Sequence, residues 1–167
     1  PMPIQTASET EAVHLFNADT GKTILNQNAG QQQYVASLTK LMTALLLLES
    51  GKDLNGEVTV PTALTQEFRD IQNANGTTMG LRIGETVRRI DLLNAMLIVS
   101  ANDAASVIAY DVGGSVLDVV KQMNARAQEL GCTGTSFTCA HGLFDCGNVS
   151  TAQDLAKIAA ACAANQT

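Results

Sequence analysis

Val35-Ala36-Ser37-Leu38-Thr39-Lys40-Leu41-Met42-Thr43-Ala44-Leu45-Leu46-Leu47-Leu48-Glu49-Ser50 is helix-forming and apolar on nearly every face. A surface helix keeps a polar stripe for water, so a helix from Ala36 to Ser50 belongs in the middle of a domain, with Gly51 as its stop. Ser37 and Lys40 are three residues apart at its start and share one face. Ser37 also lies near the helix N-terminus, where free N–H groups and the dipole favour an anion. A hydroxyl at its ordinary pKa is a weak nucleophile, and a lysine takes its proton only if burial or a neighbouring cation lowers the amine pKa. An apolar helix offers Lys40 that burial. Covalent acyl transfer is one reading of the pair; an N-cap serine with an exposed lysine one turn on is the other. With 8 Ser and 5 Lys in the chain, roughly 0.24 such spacings arise by chance.

Around this helix lie 167 residues, 46% hydrophobic and 16% charged, with a mean hydropathy of +0.09 and a net charge of -6. That length fits one domain able to bury roughly two thirds of its unfolded surface. No basic cluster exceeds Arg88-Arg89, which argues against a nucleic-acid partner. The longest apolar run, Leu41 to Leu48, is far short of the ~20 residues that span a bilayer, and no basic-apolar-small signal opens the chain. A soluble protein, or the processed form of an exported one, is expected.

Residues 1–11 read as a loose leader and 12–167 as the domain. Ala12 to Asn17 and Thr23 to Asn26 flank Asp19-Thr20-Gly21-Lys22, a hairpin signature. Between Asp53 and Glu85 two strand candidates, Glu57-Val60 and Met79-Ile83, surround a polar middle with Phe68, Asn73, Asn75 and Gly76, expected as a small insertion over the helices. Thr86 is expected to cap a helix through about Val99, and Asn102 or Asp103 another ending at Gly113-Gly114. Ser115 with Asp118, and Ser150-Thr151-Ala152-Gln153, read as capping boxes for a helix ending at Gly131 and for a final Ala-rich helix. Ser100-Ala101-Asn102 falls at a helix-to-helix junction, where short polar side chains can face a cleft.

Val35-Ala36-Ser37-Leu38-Thr39-Lys40-Leu41-Met42-Thr43-Ala44 followed by Ser100-Ala101-Asn102-Asp103-Ala104-Ala105 closely resembles the serine D-alanyl-D-alanine carboxypeptidases, low-molecular-mass penicillin-binding proteins. Asp19-Thr20-Gly21-Lys22, Gly84-Glu85-Thr86 with Asp91-Leu92-Leu93, His141-Gly142-Leu143 and Ser150-Thr151-Ala152-Gln153-Asp154-Leu155-Ala156 fit the same family in the same order. The resemblance runs from Val13 to Ala160. It implies an α+β fold of the β-lactamase/transpeptidase type, an antiparallel sheet with a helical cluster. It also implies Ser37 as nucleophile, Lys40 as general base, Ser100 as proton relay, and Asn102 as the group that orients substrate and Lys40. The substrate would be a peptidoglycan stem peptide, β-lactams would acylate the same serine, no cofactor or metal would be needed, and the location would be extracytoplasmic, with any membrane contact through an anchor outside this chain.

The family's third motif, a Lys-Thr-Gly on a cleft strand, is absent; the only Lys-Thr pair is Lys22-Thr23, followed by Ile24 in the first hairpin. The expectation is therefore a partial catalytic domain, cut before its later strands, impaired in acylation and prone to self-association. Two rivals stand beside it: a serine β-lactamase, for which no Glu-x-x-x-Asn loop follows Ser100, and a non-catalytic remnant that binds peptidoglycan or a partner. The four cysteines, Cys132, Cys139, Cys146 and Cys162, suit an oxidising compartment or buried thiols; a zinc site with His141 would lack the usual C-x2-C pairs. A Cys139-Cys146 bridge would brace the His141 loop that the family shares. His141 itself reads as loop packing rather than proton transfer, and His14 as structural. Asn75-Gly76-Thr77 and Asn148-Val149-Ser150 match the glycosylation pattern by chance, given the bacterial resemblance.

Overall fold

A computed structural model describes residues 10–143 and 147–165. Most of the expected leader, residues 1 to 9, and Cys146 lie outside them. The central helix α1 (Lys40–Glu49) is preceded by a 3-10 turn over Ala36–Thr39 rather than by further α-helix. Its burial has a plain cause: it serves two cores at once. Ala44 and Leu47 pack with Val60, Leu64, Leu92, Met96 and Ile108, while Met42, Leu45 and Leu46 pack with Val119, Met123, Phe137, Ala140 and Ile158. Each such Val, Leu, Ile, Met or Phe side chain contributes about 1.5–3 kcal/mol when fully withdrawn from water, so neither flank of α1 could be polar without loss.

β1 (Val13–Phe16) and β2 (Thr23–Gln27) form the expected antiparallel hairpin. Asn17 shapes its turn by accepting from the Asp19 and Thr20 amides. His14 stacks on Phe16 with ring centroids 5.5 Å apart. β3 (Gln33–Tyr34) leads into the Ser37 turn and pairs with β6 (Val149–Ser150), a contact the sequence did not announce. That pairing seats the end of the cysteine loop beside Ser37.

The insertion departs from expectation. β4 (Glu57–Thr59) pairs with β5 (Thr86–Arg88), not with Met79-Ile83, and Thr86 therefore lies in a strand instead of capping a helix. The polar middle contains a helix, α2 (Thr65–Asn73), anchored by Leu64, Phe68 and Ile71 at positions i, i+4 and i+7. α3 (Arg89–Ile98) and α4 (Asn102–Gly113) follow, the latter closed by Gly114 at φ +76°. Its N-cap is Ala101: the Asn102 side chain is committed elsewhere, and Asp103, which accepts from the Ala104 amide, lies inside the helix. α5 (Val116–Glu129) has the expected Ser115 cap on Asp118, and α6 (Ala152–Ala164) is capped one residue later than expected, by Thr151 on Asp154. The expected α+β class holds, with antiparallel strand pairs around a helical cluster; among the described residues the strands make three separate two-stranded ladders.

Candidate active site

In a 3-10 turn, side chains three residues apart eclipse. The turn over Ala36–Thr39 therefore stacks Ser37 over Lys40 more closely than α-helix would. Ser37 Oγ lies 3.3 Å from Lys40 Nζ and 2.8 Å from Ser100 Oγ. Ser100 reaches it from the junction between α3 and α4, where the backbone takes the left-handed φ of +60°. Lys40 is 2% exposed, and burial pushes its amine down from 10.5 to about 8. Its Nζ donates to Asn102 Oδ1 at 2.9 Å and to the His141 carbonyl oxygen at 2.6 Å.

The orientation of Asn102 is fixed from behind. Its backbone N–H and its Nδ2 both donate to the Thr77 carbonyl, at 2.8 and 2.9 Å, which leaves Oδ1 to face Lys40. Asp103, 3% exposed, holds that segment in place by accepting from the backbone amides of Met79, Gly80 and Leu81 at 3.0 to 3.1 Å. This is why Met79-Ile83 is not a strand: its amides bond a carboxylate, not a ladder. Asp103→Ala removes three hydrogen bonds from part-buried amides to a buried carboxylate, and a bond to a charged group contributes ~1.5–3 kcal/mol. The expected result is faster proteolytic cleavage around residues 77–81, with loss of at least ~2 kcal/mol by chemical denaturation. Unchanged cleavage would contradict it.

The other side of Lys40 is built by the loop after α5. Asn148 Oδ1 accepts from the Thr138 and Cys139 amides, and its Nδ2 donates to the Cys139 carbonyl and to Thr39 Oγ1. A side chain so engaged and only 4% exposed is a loop brace. Thr43 donates to the Ala140 carbonyl at 2.6 Å. Cys139 is disulfide-bonded, whereas Cys132 and Cys162 are free thiols that burial pushes up to about 11. Cys146, its expected partner, is outside the described residues.

All four expected polar residues thus meet around one point, beside a cleft of about 520 Å³ lined by Tyr34, Ser37, Leu38, Met96, Leu97 and Ser100. Sequence reasoning missed Glu67, Thr77, Thr43 and Asn148, and misassigned Asp103. The i, i+4, i+7 spacing of Leu64, Phe68 and Ile71 was a readable signal for the helix that carries Glu67. The backbone acceptors of Thr77 and His141 carried none.

The arrangement has a chemical consequence. A neutral amine has two N–H donors and one lone pair. Asn102 Oδ1 and the His141 carbonyl can only accept, so they take both donors, and the lone pair is left facing the Ser37 hydroxyl.

The sequence matches a family model described as D-alanyl-D-alanine carboxypeptidase, peptidase S11, over residues 2–167. The D-alanyl-D-alanine carboxypeptidase DacF of Bacillus subtilis is 34% identical, over 92% of this chain and 39% of DacF. DacA of Haemophilus influenzae is 35% identical, over 95% of this chain and 40% of DacA. Among solved structures, the Streptomyces K15 DD-transpeptidase superposes with a TM-score of 0.83 at 30% identity, covering 92% of this chain and 61% of that one. Penicillin binding protein 6B from Escherichia coli gives 0.80 at 29%, covering 87% and 47%. The chain therefore spans about two fifths of those curated relatives, and on the family match across residues 2–167 it belongs to the D-alanyl-D-alanine carboxypeptidase family.

Proposed function

We propose that this protein is a serine D-alanyl-D-alanine carboxypeptidase and that residues 12–167 are part of its catalytic domain. The observation that carries the reading is the amine of Lys40, buried, lowered to about 8 and aimed at Ser37 Oγ. Ser37 Oγ bonds to the carbonyl carbon between two terminal D-alanines as its proton passes to Lys40. The C–N bond then breaks, and the departing D-alanine amine takes a proton through Ser100. Water cleaves the resulting ester and restores Ser37. The Ser37 backbone N–H would supply half of the oxyanion hole. Penicillins would acylate Ser37 by the same attack on their strained amide. The substrate is a peptidoglycan stem peptide, which places the protein outside the cytoplasm. Among the described residues no helix is long and apolar enough to cross a membrane.

The β-lactamase reading is weaker. It needs a second base to hydrolyse the ester quickly, and Glu129, the only Glu after Ser100, sits on α5 paired with Arg126 and largely exposed. The complete network around Lys40 also disfavours a remnant that only binds.

The test is release of free D-alanine from an acyl-D-Ala-D-Ala peptide. Because residues 1–167 contain no Lys-Thr-Gly clamp for the substrate carboxylate, release is expected to be slow but abolished by Ser37→Ala. Release that survives Ser37→Ala would overturn the assignment. The same residues are also proposed to self-associate, since Tyr34, Leu38, Leu97, Ile98 and Val99 are exposed apolar side chains. Light scattering should give a mass above the monomer that falls on dilution; a monomer at every concentration would contradict this.

A further inference from the structure

Glu67 projects from α2 and bonds two groups that the proposed reaction does not use. Its Oε1 lies 3.0 Å from His141 Nε2 and accepts from Ser106 Oγ at 3.2 Å. His141 is 6% exposed and Ser106 is 0% exposed. The ring's other nitrogen, Nδ1, lies 3.1 Å from the backbone amide of Leu143, which can only donate to it. Nδ1 is therefore an acceptor, Nε2 bears the proton, and Nε2–H donates to Glu67. The hydrogen bond from His141 holds the Glu67 carboxyl below its usual range, so the acceptor is a carboxylate and the bond is charge-assisted. The tautomer and the ring plane are both set.

The residue so fixed presents its backbone carbonyl to Lys40 Nζ at 2.6 Å, the shortest of that amine's three contacts. Without this carbonyl, one N–H of Lys40 would be free to turn, and with it the lone pair. We propose that Glu67 is a positioning residue for the base: through His141 it fixes the carbonyl that directs the Lys40 lone pair at Ser37. The insertion is thereby a working part of the site. This inference rests on the base role given to Lys40 above, but the geometry it invokes exists whether or not Ser37 reacts.

The test uses residues 1–167 with isotope-labelled Lys and His, followed by NMR in the unsubstituted protein, Glu67→Gln, Glu67→Asp and Glu67→Ala. Unsubstituted, His141 should show one tautomer with its proton on Nε2, and Lys40 should titrate near 8. In Glu67→Ala the Leu143 amide still donates to Nδ1, but Nε2–H loses its acceptor, so its proton signal should move upfield and exchange faster with water. The Lys40 cation then loses the ordered carbonyl that stabilises it, and its titration should fall by about one pH unit. Glu67→Gln keeps an acceptor in place and should restore both signatures. Glu67→Asp, one methylene short, should behave like Glu67→Ala and serves if the alanine variant does not fold. A Lys40 titration and a His141 Nε2–H signal identical in the unsubstituted, Ala and Asp proteins would overturn the proposal. Ser37 acylation by a fluorescent penicillin, run alongside, separates the two claims. A shifted Lys40 with no acylation anywhere would remove the acyl-transfer reading and leave the linkage standing. Acylation at the unsubstituted rate in folded Glu67→Ala would remove the linkage and leave the reading.

Discussion

Lys40→Met is expected to slow acylation of Ser37 by a β-lactam about 10²- to 10⁴-fold, the range that a positioned general base supplies. Methionine keeps the length and apolar stem of lysine but has no lone pair able to take the serine proton. The effect has a pH signature with a definite sign. Burial lowers the Lys40 amine to about 8; below that pH the amine is protonated and cannot accept, and above it the lone pair is available. Acylation of the unsubstituted protein should therefore rise with pH, half-maximal near 8, and the residual rate of Lys40→Met should lack that step. Stopped-flow or gel-based acylation rates across this range decide the matter. An unchanged rate in Lys40→Met, or a rate that falls through pH 8, would remove Lys40 from the mechanism.

Gly142→Ala should have the largest effect on stability. Gly142 stands at φ +76°, and a Cβ there would fall far inside van der Waals contact distance of the Ala36 carbonyl oxygen and close against Thr39 Oγ1. Ala36 precedes Ser37 and already holds a φ of +39°. The clash thus pushes on the turn that presents Ser37. Overpacking and left-handed strain together are expected to cost ~3 kcal/mol or more. Gly147 is the control, with φ +68° and no atom of the described residues within 4 Å of a Cβ there, and its change to Ala should cost only the left-handed strain of ~1–2 kcal/mol. Denaturant midpoints for the two variants test this contrast, and equal losses would contradict it.

The central helix was legible because its lack of a polar face admits few explanations, and the two cores on either side of α1 are that explanation. The Ser37, Lys40, Ser100 and Asn102 set was legible through the resemblance of its two motifs to a known family, and the structure brings the four side chains together. What surrounds them was less so. Thr77 and His141 act on the site through backbone carbonyls, which every residue possesses, and only the fold shows which ones point inward. Asp103 looked like a helix cap because a carboxylate at a helix start usually is one; here it accepts from the Ala104 amide of α4 but spends most of its capacity on three amides of an extended segment. Asn148 looked like a surface acceptor in a chance motif, yet its amide is almost wholly spent on the loop and on Thr39. Thr86 shows the same limit in the opposite direction, since its capping propensity yielded to pairing with Thr59, whose hydroxyl lies 3.0 Å away. Long-range partners decided each of these cases, and local pattern does not encode them.

Where a penicillin binds decides whether Ser37 is the nucleophile. The protein is incubated at length with a fluorescent penicillin, digested, and the labelled peptide sequenced by mass spectrometry, with Ser37→Ala in parallel. An ester on Ser37 alone is expected, forming slowly in residues 1–167 and not at all in Ser37→Ala. A label on any other residue, or an unmodified Ser37 in folded protein after prolonged exposure, would contradict it.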